Sequence, residues 1–389
     1  MRFWLTPLAA LALFAVACGG DSGGGSAVAP TSAATPGSSQ AGANQPQRID
    51  GWLTDVSKTS IDLDELTQGQ TKDGIPAISD PRFLAVPEVD FLADQEPVIA
   101  FEEGDDARAY PLQIMTWHEI VNDVVGGRPV LVTFCPLCNT AIVFDRTVDS
   151  AVLDFGVSGF LRNSDLVMFD RQTESWWQQL TGEALVGDYL GTQLEFLPAA
   201  IVSWGDFKLA FPGGKVLSTD TGHSRPYGTN PYAGYDNVNS IPFLYDGPSD
   251  DRLLPMERVV AVELNGEVAA YPFSRLEQKP VVNDLLGGQE IVVLFKPGTV
   301  SALHRSSIAD SRDIGSASVF SPVIDGRKLT FSAQGAGFQD AETGSTWDVF
   351  GRATSGPLQG KTLEPIVSGN HFWFAWAAFK PETRVWDGS

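Results

Sequence analysis

Cysteine is scarce in this chain: Cys18, Cys135 and Cys138 are the only three in 389 residues. So few thiols cannot form the disulfide framework of a small extracellular scaffold. A hydrophobic content of 43% supports an ordinary core instead. Histidine is nearly as rare, with four, and His223, His304 and His371 share no metal-ligand spacing. Each of these three reads as a surface or hydrogen-bonded histidine. Basic residues number 26 against 48 acidic ones, for a net charge of −22. That balance argues against nucleic acid or acidic lipid as a main partner. Beyond residue 17 no stretch approaches the ~20 apolar residues of a spanning helix. Neither a phosphate loop nor a dinucleotide fingerprint is present, so no nucleotide cofactor is expected.

Residues 1–17, "MRFWLTPLAALALFAVA", combine an early Arg2 with an apolar run of signal-peptide length. Ala15-Val16-Ala17-Cys18 resembles a bacterial lipobox, with Ala15 where leucine is usual. The expectation is lipidation at Cys18 and anchoring at the outer face of the cytoplasmic membrane, or at an outer membrane. An ordinary cleaved signal is the other reading. Over 18–47, the residues after Cys18 are Gly, Ser, Ala, Pro, Thr, Gln and Asn apart from Val28, with one charge, Asp21. Such a segment buries too little apolar surface to offset its ordering entropy. It reads as a tether with a mean reach of about 30 Å.

The globular part contains a repeat. "RAYPLQIMTWHEIVNDVVGGRPVLVTFCPLCNTA" (108–141) aligns with "AAYPFSRLEQKPVVNDLLGGQEIVVLFKPGTVSA" (269–302). Thr173, Ser175 and Trp177 recur as Thr343, Ser345 and Trp347, and Trp204 as Trp373. Two homologous lobes follow, 96–213 and 258–382, with an N-terminal extension at 48–95 and a bridge at 214–257. Short runs at 98–101, 129–134, 141–144 and 166–169 read as strands bounded by turn residues. Helices are expected after Pro111, over 203–209 and within 371–379. The fold class is therefore α+β, two tandem lobes of mostly antiparallel strands with short helices. The bridge holds Tyr227, Tyr232, Tyr235 and Tyr245. It reads equally as a binding loop or as an ordered linker packed across both lobes.

The lobes share turn and core residues but differ in reactive ones. On this alignment Cys135 faces Lys296, Cys138 faces Thr299, His118 faces Lys279 and Asp145 faces Ser306. The first lobe is thus expected to carry the site, neutral drift after duplication being the alternative. Three uses of Cys135-Pro136-Leu137-Cys138 compete. The first is structural, a pair of buried thiols or a disulfide, and a disulfide would close a loop worth only about 2 kcal/mol. Thiol exchange usually places such a pair at a helix N-terminus, whereas "NTAIVFD" reads as strand. A metal knuckle between strands points both sulfurs one way, and the lack of a second knuckle argues against a closed zinc site. An open site of two thiolates, with His118 as a third ligand, suits Cu(I) or another soft ion. If the lobes pack about a pseudo-two-fold axis, Lys296→Cys/Thr299→Cys would complete four thiolates. In a redox enzyme acting on an extracytoplasmic thiol or metalloprotein partner, Cys135, Cys138 and His118 would be the catalytic residues. A non-catalytic scaffold, with the tyrosine-rich bridge as its surface, is the remaining class. Gly156-Val157-Ser158-Gly159 lacks nucleophile-elbow spacing. Asn163-Ser164-Asp165 and Asp170-Arg171 read as turn and surface ion-pair residues, with a polar pocket as the alternative.

The motifs "KDGIPAI" (72–78), "WHEIVND" (117–123), "CPLCNTAIVFDR" (135–146), "FGVSG" (155–159), "NSDLVMFDR" (163–171) and "STDTGHSRPYG" (218–228) resemble a bacterial family known as domain of unknown function 3179. The likeness runs from about Lys72 to Pro381, with Asn139 where the family often has glycine. It implies secretion or lipid anchoring and carries no agreed reaction. More loosely, Cys135-x-x-Cys138-Asn-Thr before an apolar strand is similar to the site strand of organomercurial lyase. The copper-chaperone lipoprotein of nitrous oxide reductase is said to share that enzyme's fold.

Overall fold

The structure, a computed structural model, describes residues 47–389. The signal peptide, Cys18 and the tether up to residue 46 lie outside the described residues. Short, mostly antiparallel strands with a few helices make up the rest, in the expected α+β class.

One order of elements occurs twice. In the first lobe Pro97–Glu103 and Asp106–Pro111 form a hairpin that runs into the helix Leu112–His118. Pro111 caps that helix because its fixed φ suits the entry and its missing N–H would be unpaired there anyway. Arg258–Leu264, Glu267–Pro272 and the helix Phe273–Leu276 repeat this in the second lobe, with Pro272 at the cap. A further hairpin follows in each lobe, Ile120–Val125 with Arg128–Cys135, and Val281–Leu286 with Gln289–Lys296. Each lobe ends with a strand running into a helix: Ala200–Ser203 into Trp204–Ala210, and Ser368–Phe372 into Trp373–Phe379.

Buried polar pairs recur with these elements. Tyr110 donates to Asp123 and Tyr271 to Asp284. Asn122 exchanges two hydrogen bonds with the backbone of Phe155, and Asn283 does the same with Phe331. Asp170 accepts the Trp177 indole and the Thr173 hydroxyl, and Asp340 accepts those of Trp347 and Thr343. Asp170 is therefore buried and not a surface residue; only Arg171, paired with Asp73, fits the ion-pair reading.

The strand register revises part of the alignment. Cys135 pairs with Thr140, and Lys296 pairs with Ser316. Ser316 is thus the counterpart of Thr140, and the match of Ala141 to Ala302 does not hold. Asp145 N donates to Glu195 O as Ser321 N donates to Glu364 O, so Asp145 corresponds to Ser321 and not to Ser306. Where the first lobe turns through residues 136–139, the second makes a long excursion over 297–315.

The bridge is an ordered strap on both lobes. It holds the first through Thr229 O on the Trp117 indole and Phe243 O on the Ser164 hydroxyl. It holds the second through buried Asp236, which pairs with Arg258 and Arg312. The extension joins the first lobe, pairing Leu66–Gln68 with Phe155–Arg162.

Candidate metal centre

The strand Arg128–Cys135 is apolar and buried over most of its length, which fixes the depth at which it ends. Its last residue is Cys135. The chain then turns through Pro136, Leu137, Cys138 and Asn139, and Asn139 takes a left-handed conformation with φ 52°. Asparagine tolerates that conformation better than most residues, so it can stand at a glycine position. The Cys138 carbonyl accepts Phe372 N of the second lobe at 2.8 Å. Both thiols are free and buried.

A second hairpin meets this turn. Phe155–Arg162 and Asp165–Asp170 are joined at Asn163 and Ser164, both at positive φ. This two-residue turn matches the strand twist. A bulge between Val157 and Leu161 bends the first arm, where Gly159 lies so close to Gln70 O that a Cβ would stand 2.2 Å from it. Ser158 donates its hydroxyl to Val167 O and so serves the bend. The hairpin tip delivers Ser164 O to both sulfurs, 3.4 Å from Cys138 Sγ and 3.8 Å from Cys135 Sγ.

Asp165 comes with it. Its side chain is fully buried, and its donor oxygen and the two sulfurs all lie within 4.8 Å of one another. Asp165 Oδ2 accepts Gln178 Nε2 at 2.7 Å and Leu180 N at 2.9 Å, while Oδ1 has no hydrogen-bond partner. Burial pushes its carboxyl up to about 6. Burial also raises both thiols, Cys138 well above its ordinary value, with Cys135 and Asp165 adding to that shift. Glu119, which ends the first helix at φ 59°, is buried nearby, and desolvation followed by the charge of Asp165 pushes it up to about 8. Neither carboxyl has an ion-pair partner among the described residues. Tyr232 and Tyr235 close the zone from the bridge, both raised by burial, with Tyr235 donating to Leu137 O at 3.0 Å.

His118 takes another direction. Its Nδ1 is 2.7 Å from Pro76 O, which can only accept, so Nδ1 carries the proton. Nε2 then accepts from Tyr227 at 2.6 Å, and burial lowers the imidazole to about 4. It therefore locks the bridge to the extension and is not in the thiol cluster. Lys296 pairs with Asp206, and Thr299 bonds Ser316, so neither joins the thiols. Asp145 pairs with Arg128. On sequence alone Asp165 reads as a turn residue or as part of a polar pocket, and not as a neighbour of the thiols. One signal was available: the matching hairpin, Phe331–Gln334 with Gly337–Asp340, is shorter and turns through Gly335 and Ala336.

Residues 72–383 match the family described as "Protein of unknown function (DUF3179)". The chain belongs to that family. No curated protein and no solved structure shows significant similarity to it. For this DUF3179 protein, function rests on the site itself. Two sulfurs and a carboxylate oxygen converge in a buried volume, with no cationic side chain paired to them among the described residues. This is the donor set of a thiophilic or borderline metal ion.

Proposed function

We propose that this protein holds one thiophilic metal ion, Cu(I) foremost, between Cys135 and Cys138, with Asp165 beside it. The observation that carries this is the convergence of two buried thiols and a buried carboxylate oxygen within 4.8 Å of one another, with no ion-pair partner among the described residues. Burying such groups is costly unless they stay protonated or meet a cation. A metal displaces the two thiol protons and supplies that charge. Two thiolates suffice for Cu(I), and Asp165 then keeps its proton beside them. Because a carboxylate is also a good ligand for borderline divalent ions, Zn²⁺ bound by all three groups is the second reading. Charge alone does not separate these readings, since each leaves one net negative charge.

The burial of both thiols supports metal holding better than the redox enzyme reading, because exchange needs a sulfur that a partner's disulfide can reach. In this reading Cys18 bears the lipid, the tether keeps the centre near the membrane in the cell envelope, and the partner is a metalloprotein that gives or takes the ion. Competition titration of the reduced full chain against a Cu(I) chelator tests it. The expected result is one ion per chain, lost in Cys135→Ser/Cys138→Ser. Asp165→Asn should change Cu(I) affinity little but weaken Zn²⁺ at least tenfold. Equal Cu(I) affinity in wild type and the double variant would overturn the proposal.

A further inference from the structure

A cleft of about 620 Å³ opens on the seam between the lobes, walled by Leu180, Glu183 and Phe196 on one side and by His371, Trp376 and Phe379 on the other. Its volume falls within the range of small-molecule sites, and its lining, mostly apolar with a few polar groups, is of the same kind.

Three features define what would fit. First, Glu183 is half-buried, lines the cleft, and makes no ion pair or side-chain hydrogen bond among the described residues. Lys380, the cleft's only basic residue, is already paired with Glu263. Second, aromatic rings supply the walls, with Trp376 stacked on His371 at 4.9 Å between ring centroids. Third, His371 holds Thr140 through Nδ1 at 2.9 Å, while Nε2 has no partner among the described residues. Burial lowers this imidazole to about 3, so at neutral pH it is uncharged and does not repel a cation.

His371 is also out of place in the repeat. It pairs with Val259 in the register where Val202 pairs with Val98. An apolar residue therefore serves this position in the first lobe. The substitution puts a polar group on the seam, where packing alone would favour valine.

We propose that the cleft binds an amphipathic organic monocation, an amine with an aromatic or similar apolar body. Glu183 takes the ammonium, the aromatic walls take the body, and His371 Nε2 offers a hydrogen-bond position. An unpaired carboxylate beside aromatic faces favours a cation both by charge and through the ring quadrupoles. This inference does not depend on what the thiols bind.

Calorimetric titration of the full chain at pH 7 with three probes of similar size tests it: phenethylammonium, 2-phenylethanol and hydrocinnamate. Phenethylammonium should bind one per chain, the alcohol at least tenfold more weakly, and the anion not measurably. Glu183→Gln, at a half-exposed position that leaves the core intact, should reduce the cation to the level of the alcohol. Cys135→Ser/Cys138→Ser should leave all three unchanged. Equal affinity of wild type for cation and alcohol, no saturable binding, or an unchanged cation affinity in Glu183→Gln would each overturn the proposal.

Discussion

Cys135 and Lys296 occupy the same place in the two lobes, each the last residue of a buried strand and each paired across to the next strand, with Thr140 and Ser316. From there the lobes part. The first closes at once through Pro136–Asn139, and a long hairpin brings Asp165 onto the turn. The second runs out over 297–315, its corresponding hairpin is short, and Lys296 turns to Asp206. The buried pairs that hold the strands, Tyr110–Asp123 and Tyr271–Asp284 among them, are unchanged. Duplication thus kept what the fold needs, and chemistry arose where one turn was short and one hairpin long. A hairpin extended by a few residues moves its tip by roughly 3.3 Å per residue, enough to bring a carboxylate into or out of a metal's reach.

The largest expected effect tests the shared part. Asp170→Ala and Asp340→Ala each strand a buried indole N–H and a backbone N–H, that of Thr173 or Thr343. Each should lower unfolding stability by about 3 kcal/mol in denaturant titrations. A loss confined to one lobe would break the equivalence.

The next effect separates the lobes by pH. Glu119 is pushed up to about 8, and its counterpart Pro280 cannot titrate. The folded state therefore binds more protons than the unfolded one between the ordinary glutamate range and pH 8. Stability contributed by Glu119 is complete at low pH and is lost as pH rises through that window. The slope should approach about 1.4 kcal/mol per pH unit, and Glu119→Gln should flatten it. His371 acts in the opposite sense: lowered to about 3, it costs stability as pH falls below about 6.5. His371→Val, which imports the first-lobe residue, should remove that acid sensitivity in pH-dependent melting curves.

The smallest effect concerns Lys296→Cys/Thr299→Cys. It should cost about 1 kcal/mol, mainly from the lost partner of Asp206. It should not add metal capacity, because Thr299 lies on the excursion and not in a tight turn. A second bound ion per chain would show that the two corners are closer in kind than their backbones indicate.

Much of the fold was legible in the sequence. The strand at 129–134 and the helix after Pro111 were marked by an apolar run and a proline, both local signals. Ala141 and Ala302 were misaligned because an insertion leaves no trace in a short stretch of identities. The thiols were legible as a pair on a turn, but their third neighbour was not. His118 was proposed from its chemistry, yet a carbonyl and a tyrosine occupy both of its nitrogens. Asp165 read as a surface turn residue because "NSD" is ordinary turn chemistry. Only the docking of its own hairpin onto the Cys135–Cys138 turn buries it.

X-ray absorption at the metal edge of the full chain, loaded with one equivalent of Cu(I), tests the central claim most directly. The account predicts a first shell with two sulfur scatterers, replaced by lighter atoms in Cys135→Ser/Cys138→Ser. A first shell of nitrogen and oxygen alone in the wild-type protein would contradict it.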